Sequence, residues 1–376
     1  PDMLVGCEDG FITYFENVSQ TKPAGLHFRH GRLLQMGKQP ARVVSDFGMT
    51  GRLEGLWGYA NPITVDWDGD GDLDILTGST DPSIDYFENV GSRTEPRLGP
   101  AIKITVDDEI LPHDWRSRPT ADDWNGDGLM DLMVVTRDGR LRYYQRYRKG
   151  DSLLLEAGRV MHDPRGEPLY LRGSDDRSGG RVKLTSVDWD EDGDIDLLVG
   201  SRNGTPNPGW LENQGTNRDP VFEPHPLAPP QVGGHFRMLE PYDWDHDGDL
   251  DLFVCNYAKW TMEKDLEVQQ DYLGLNTYMA PRFFDGSSCQ LYENKGEGLF
   301  ADVSEQAGMM VRDQKTGELV AQALAVIFVD LDRDGWQDIV VANDQTRSFL
   351  LHNNQDGTFR DAGGETGFGW DSNGKI

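Results

Sequence analysis

The chain has 376 residues, of which 65 are acidic and 36 basic, giving a formal net charge of −29; hydrophobic residues make up 37% and there are 44 glycines. That charge repels phosphate backbones and anionic surfaces, so nucleic acid is excluded as a natural partner, and no apolar run of about 18 residues offers a membrane span. The hydrophobic fraction sustains a folded core, and so much glycine suits tight turns between short strands better than long helices.

The elements repeat along the chain. Residues 1–6, "PDMLVG", read as the tail of an acidic loop entering a strand, with Asp2 in the last acidic position; "YFENV" (14–18) follows as the next strand. The second unit opens with "VDWDGDGDLDILTG" (65–78) and continues with "YFENV" (86–90) and "PRLG" (96–99). The third carries "DDWNGDGLMDLMVV" (122–135), the fourth "VDWDEDGDIDLLVG" (187–200), "WLENQG" (210–215) and "PVFE" (220–223). The fifth carries "YDWDHDGDLDLFVC" (242–255), a long insertion at 256–289, "LYENKG" (291–296) and "GLFADV" (298–303). The sixth carries "VDLDRDGWQDIVVA" (329–342), "LLHNNQDG" (350–357) and "GTFRDA" (357–362). The first aspartates of the loops, Asp66, Asp123, Asp188, Asp243 and Asp330, are spaced 57, 65, 55 and 87 residues apart.

Each unit reads as strand, acidic loop, strand, turn, strand, turn, strand. Four short strands per unit predict an all-β fold, a β-propeller of four-stranded antiparallel blades. Six blade units are visible, at about 1–55, 56–111, 112–178, 179–232, 233–318 and 319–376, in one domain. Helical periodicity is weak everywhere, with a trace near 301–310. The chain opens inside a blade, so either residues near 364–376 supply the missing inner strand and six blades close the ring, or the chain continues to a seventh. It begins at Pro1 without an apolar leader, as expected if a signal peptide has been removed. Cys255 and Cys289 bracket the insertion and suit either a disulfide, leaving Cys7 over, or buried thiols.

The loop pattern D-x-[DN]-x-D-G-x-x-D has a chemical reading. Carboxylates at positions 1, 3 and 5 turn inward, glycine at position 6 permits the turn, and a carbonyl at 7 and a carboxylate at 9 complete an oxygen cage. Such a cage suits Ca²⁺ better than Mg²⁺, which keeps its waters. The expected ligands are Asp66, Asp68, Asp70 and Asp74; Asp123, Asn125, Asp127 and Asp131; Asp188, Asp190, Asp192 and Asp196; Asp243, Asp245, Asp247 and Asp251; and Asp330, Asp332, Asp334 and Asp338. Five ions would move the formal charge to about −19 and would act chiefly as staples of the loops. Extracellular calcium fills such sites more readily than cytosolic calcium, which argues for export. The residue at position 2 is Trp67, Trp124, Trp189, Trp244 or Leu331, expected to pack between blades.

The loop followed by "DILTG" or "DLLVG" resembles the FG-GAP/VCBS repeat of integrin α-chain propellers and of many bacterial exported proteins, over nearly the whole chain. The stretch from "CQLYENKGEGLFADVSEQAGM" onward resembles bacterial VCBS proteins that carry an ASPIC/UnbV domain. The resemblance implies a calcium-binding propeller outside the cell or at its surface, in bacteria periplasmic or extracellular, and fixes neither ligand nor reaction. The third loop departs from the pattern at Asn125 and Leu129, which weakens its site.

Strand alternation places the starts of the inner strands, opposite the acidic loops, on one face with the insertion 256–289 and the connection 161–181. Seven residues before each loop stand Tyr59, Arg116, Arg181, Phe236 and Ala323; five before stand Asn61, Arg118, Lys183, Met238 and Ala325. With Trp115, His235 and Arg237 and with Trp57, Tyr170, Trp260 and Tyr272, this face is expected to bind an anionic, flat ligand, a polysaccharide or else an extracellular protein. The plainer reading is that these arginines pair with spare carboxylates and the aromatics are core. An enzymatic alternative is a polysaccharide lyase on uronate glycans, with Arg116, Arg181 or Lys183 neutralising the carboxylate and His235, His113 or Tyr59 as base. A third is a structural subunit of a surface assembly.

Overall fold

The strand after each acidic loop sets the architecture. Asp74–Gly78, Asp131–Val135, Asp196–Gly200 and Asp251–Val254 are buried at every position. Covered on both faces, such strands must be near-continuous apolar runs rather than alternating ones. The computed structural model describes residues 2–7, 9–19, 27–43, 58–171, 180–200, 209–226, 238–257, 259, 263, 271–272, 275–276, 284–296, 299–313, 315–344, 346–366 and 368.

Among the described residues there are six blade sheets, five of four strands and one of three, all antiparallel with neighbours in chain order. This is the expected β-propeller. The second blade runs Asn61–Val65, Asp74–Gly78, Ile84–Phe87, Ile102–Lys103. The fourth runs Lys183–Val187, Asp196–Gly200, Trp210–Asn213, Phe222–His225. The first has Met3–Gly6, Ile12–Phe15 and Arg32–Leu33. Register is identical at every loop: Val65 faces Asp74, Asp122 faces Asp131, Val187 faces Asp196, Tyr242 faces Asp251 and Val329 faces Asp338. The "ENxG"-type stretches end the third strands, and "PVFE", "GLFADV" and "GTFRDA" hold the fourth. In the third blade a hairpin, Arg146–Lys149 with Ser152–Leu155, stands between third and fourth strands.

The chain divides into two compact units. One comprises Asp2–Phe15 and Arg32–Leu227 and holds blades one to four; the other comprises Pro1, Glu16–Gly31 and Ala228–Ile376 and holds blades five and six. Within the first, Trp67 packs with Leu132, Val134 and Tyr144 of the next blade. Trp124 is 0% exposed and meets Phe222 of the next blade edge-on at 6.0 Å. Within the second, Trp244 packs with Phe359 and donates its Nε1–H to Gly357 O at 3.2 Å. At Trp67, Trp124 and Trp244 the position-2 side chain is thus mortar between consecutive blades, as expected. Also in the second unit, Asn17 Nδ2 donates to Leu331 O at 2.8 Å and Phe28 N–H to Thr366 O at 3.2 Å.

Several expectations change. Of the two readings open for Cys255 and Cys289, the structure has buried thiols, in one apolar cluster. No helix forms near 301–310: Phe300–Asp302 is a strand followed by turns. The described part of 364–376 forms a helical turn, Gly363–Thr366, rather than a strand; residues 369–376 lie outside the described residues. Of the insertion, the described residues include a short antiparallel pair, Asp271–Tyr272 with Leu275–Asn276. No described helix is long and apolar enough to cross a membrane.

Candidate functional site

Each acidic loop is a ladder of side chain to backbone hydrogen bonds. In the second blade Asp66 accepts from Gly69 N (2.9 Å) and Gly71 N (3.1 Å), Asp68 from Asp70 N (3.1 Å), and Asp70 from Asp72 N (3.0 Å). The same rungs recur: Gly128 N to Asp123, Gly193 N to Asp188 and Gly335 N to Asp330, and Asp127 N to Asn125, Asp192 N to Asp190, Asp247 N to Asp245 and Asp334 N to Asp332. Short polar side chains that bond the backbone two residues on are what build such turns. Glycine at position 6 is left-handed throughout, for example Gly71 at φ 95°. Position 4 is left-handed too, and there three loops carry a residue with a Cβ: Glu191 (60°), His246 (60°) and Arg333 (62°). The pattern of glycines alone did not reveal that second constraint.

The ladder turns three carboxylates toward one point. Asp66, Asp68 and Asp70, then Asp188, Asp190 and Asp192, then Asp243, Asp245 and Asp251, then Asp330, Asp332 and Asp334 bring ligand oxygens within 4.8 Å of one another. Burial, with the neighbouring carboxylates, raises Asp68, Asp190, Asp245 and Asp332 above the usual range. Asp188 Oδ1 and Asp243 Oδ1 are buried without a hydrogen-bond partner. Crowded carboxylates with orphaned oxygens are a donor set that fits a hard cation. In the third loop Asn125 donates to Asp131 Oδ2 at 3.3 Å, so one acid is replaced by a neutral amide.

Position 9 has a role of its own. Asp74, Asp131, Asp196, Asp251 and Asp338 are at most 1% exposed. Asp196 accepts from Trp189 N (3.1 Å), Asn213 N (2.6 Å) and Trp210 Nε1 (3.0 Å). Asp74 does the same with Trp67 N, Asn89 N and the Tyr86 hydroxyl. Asp251 accepts from Trp244 N and Asn294 N, and Asp338 from Leu331 N, Asn353 N and His352 Nδ1. This carboxylate therefore ties the loop to the third strand of its own blade. Burial lifts Asp196 and Asp251 to about 6 and raises Asp131.

The third strand supplies residues that sequence reasoning missed. Glu88 and Glu212 add to the field that raises Asp68 and Asp190, Glu293 shares a hydrogen bond with Asp245, and His352 acts on Asp332 with the opposite sign. The signal was present: the glutamate of each "EN" pair occupies that place. Where the other blades have asparagine the third has Arg146, whose guanidinium lies 3.7 Å over the Trp67 ring and donates to Trp67 O. Burial pulls Arg146 down to about 10, against the opposing pull of Tyr86, Asp68 and Asp74.

At the other end of the inner strands, the basic residues expected to meet do meet in the first unit. Arg118 and Lys183 form a parallel bridge. Lys183 Nζ donates to Asn61 Oδ1 and to Arg116 O (3.2 Å), so blades two, three and four meet at one ammonium group. Arg116 lies 3.2 Å over the Tyr59 ring and 4.3 Å over Trp115, and Arg181 lies 4.6 Å over Trp115. Tyr59, Asn61, Trp115, Arg116, Arg118, Arg181 and Lys183 are all half-buried. Burial, then Arg118, Arg116 and Arg181, holds Lys183 well below the usual lysine range. His113 is 0% exposed; burial and Lys183 hold it down to about 3, so it is uncharged and a weak base. His235, Arg237, Trp57 and Trp260 lie outside the described residues. Tyr170 instead sits under Arg140, at 5.6 Å.

The FG-GAP-like repeat family matches residues 188–254, which span the fourth and fifth loops. The chain is 24% identical to cartilage acidic protein 1 of Xenopus tropicalis over 302 residues, 67% of this chain and 44% of that protein. It is 24% identical to the human cartilage acidic protein 1 over 295 residues, covering 73% and 39%. It thus spans less than half the length of these curated relatives. A solved lectin of Agrocybe aegerita, described for specific recognition of non-reducing terminal N-acetylglucosamine, aligns at 16% identity with a TM-score of 0.44, covering 96% of this chain and 78% of that one. The chain thus carries FG-GAP-like repeat sequence on a β-propeller whose acidic loops are set between the first and second strands of the blades.

Proposed function

We propose that this chain is an exported binding module, in which Ca²⁺ held by the five acidic loops braces the blades and the opposite strand ends recognise polysaccharide. The observation that carries the binding reading is the meeting of Arg116, Arg118, Arg181 and Lys183 with Tyr59 and Trp115, half-buried, in a chain of net charge −29. Half-buried cations laid on aromatic faces suit recognition of an anionic ligand. The converging oxygens, the raised carboxylates and the orphaned Asp188 and Asp243 atoms support calcium in the loops. The ions would supply charge neutralisation and folding energy, not chemistry. Export follows from the calcium level such loops need.

A glycan array probed with the calcium-replete chain tests this reading. Polysaccharide should bind, and Arg116→Ala with Arg181→Ala should weaken it. Retention of a protein partner with no glycan signal would replace the ligand class. His113, buried and weakly basic, is a poor base for the lyase alternative; incubation with uronate polymers should leave no unsaturated product, and a rise in far-ultraviolet absorbance would restore the lyase reading. Comigration with partners in native extract, with no glycan bound, would favour an assembly subunit.

A further inference from the structure

The residues around Lys183 are held at a cost. Tyr59 (φ 48°), Arg116 (52°) and Arg181 (68°) occupy equivalent places in three successive blades, and all three are left-handed with a Cβ. Each such residue carries a backbone cost that glycine would not, and such strain gathers where function fixes the backbone. Gly180, before Arg181, is also left-handed, and a Cβ there would stand 2.1 Å from Trp115 O. Arg118 is pinned by Nη2 bonds to Thr185 Oγ1 (2.7 Å) and Leu184 O (3.3 Å). Beside Lys183 both ring nitrogens of the buried His113 have no hydrogen-bond partner.

We propose that Lys183, Arg116, Arg118 and Arg181 form a subsite for one oxyanion of an acidic glycan, a uronate carboxylate or a sulfate ester. The proposal rests on the glycan reading above and adds the ligand chemistry to it. Guanidinium forks match two oxygens of such a group, and the ammonium gives a compact charge between them. Among the described residues, the charges acting on Lys183 are three guanidiniums. His113 faces it uncharged, and Asn61 offers only an amide oxygen. An entering anion cancels that repulsion and raises the proton affinity of Lys183, so binding is accompanied by proton uptake and weakens as pH rises.

The calcium-replete full chain is titrated calorimetrically with polygalacturonate, dextran sulfate, neutral dextran and inorganic sulfate, at pH 6.5 and 8.5 and in two buffers of different ionisation enthalpy. One or both charged polymers should bind, more weakly at pH 8.5, with proton uptake; the one that binds separates carboxylate from sulfate ester. Lys183→Met should fold, since it removes a charge repelled by neighbouring guanidiniums, and should lose about tenfold in affinity, the worth of one charge-assisted hydrogen bond, together with the proton uptake. Dextran binding as tightly as the charged polymers, unchanged in Lys183→Met, would overturn the subsite while leaving the glycan reading intact. Sulfate binding that depends on Lys183, with no polymer bound, would support the subsite and remove the glycan reading. Absence of binding by every probe would overturn the subsite.

Discussion

The two ends of the same inner strands follow opposite rules. In the first unit Asn61–Val65, Thr120–Asp122 and Lys183–Val187 each run into an acidic loop, from Asn61, from Arg118 two residues ahead of its strand, and from Lys183. At the acidic end the carboxylates at positions 1, 3 and 9 bond within nine residues or at and just after the blade's own third strand, and the arrangement recurs loop after loop. At the basic end the contacts cross blades and do not recur: the matching described positions of the second unit, Met238 and Ala323, are buried in an apolar cluster. Repetition marks what each blade needs to stand; the broken repetition marks what three blades do together.

Removing calcium should separate the two ends most sharply. At free calcium about 100 times the dissociation constant each loop adds ~2.7 kcal/mol, so chelation should lower the melting temperature on the order of 10 °C. Differential scanning calorimetry with and without chelator measures it, and an unmoved transition would remove the loops as staples. Next comes Asp196→Ala, which leaves the N–H groups of Trp189, Asn213 and Trp210 without their shared acceptor. The expected loss is ~3–5 kcal/mol, and it should persist in chelator, whereas Asp190→Ala should lose its effect there. Denaturant unfolding of both variants, with and without metal, separates the roles.

What was legible follows the same division. The loops were readable because their information lies in nine consecutive residues, and the blades because the loop fixes strand order and register. The basic cluster was readable only by counting back from Asp66, Asp123 and Asp188, which register makes exact. Arg146 was not: its partner Trp67 is 79 residues away and no local pattern joins them. The bond from each position-9 aspartate to the third strand was hidden because the motif names acids without saying which turn outward to metal and which inward. The left-handed position 4 escaped because Glu191, His246 and Arg333 obscure what Gly69 and Gly126 would have signalled.

Acidity offers a finer test of the acidic end. Burial raises Asp196 and Asp251 from 3.8 to about 6 in the folded chain. A raised carboxylate contributes stability fully present below its unfolded value and lost as pH rises through the folded one. Metal-free protein should therefore gain stability as pH falls from 7 toward 4, on the order of 2 kcal/mol per group. Asp138, held down to about 2 mainly by the Thr136, Arg142 and Arg140 bonds against its burial, acts below that window. Calcium-loaded protein should do the reverse, since protons compete with the ion, and the two melting curves should converge near pH 5. Parallel curves would mean that the position-9 carboxylates do not titrate as the burial requires.

The smallest effect discriminates best between the ends. Glu191 is exposed and left-handed, so Glu191→Gly removes a backbone cost of ~1–2 kcal/mol and adds back ~0.4–1 kcal/mol of chain entropy. A net gain of about 0.5 kcal/mol is expected, with glycan affinity unchanged. Arg181→Gly relieves the same kind of strain at the other end and should gain similarly in stability, yet it removes the cation over Trp115 and should weaken binding about tenfold. Strain that can be relieved without loss belongs to the scaffold; strain whose relief costs affinity is held by the site. Equal affinities for the two variants would place Arg181 with the scaffold.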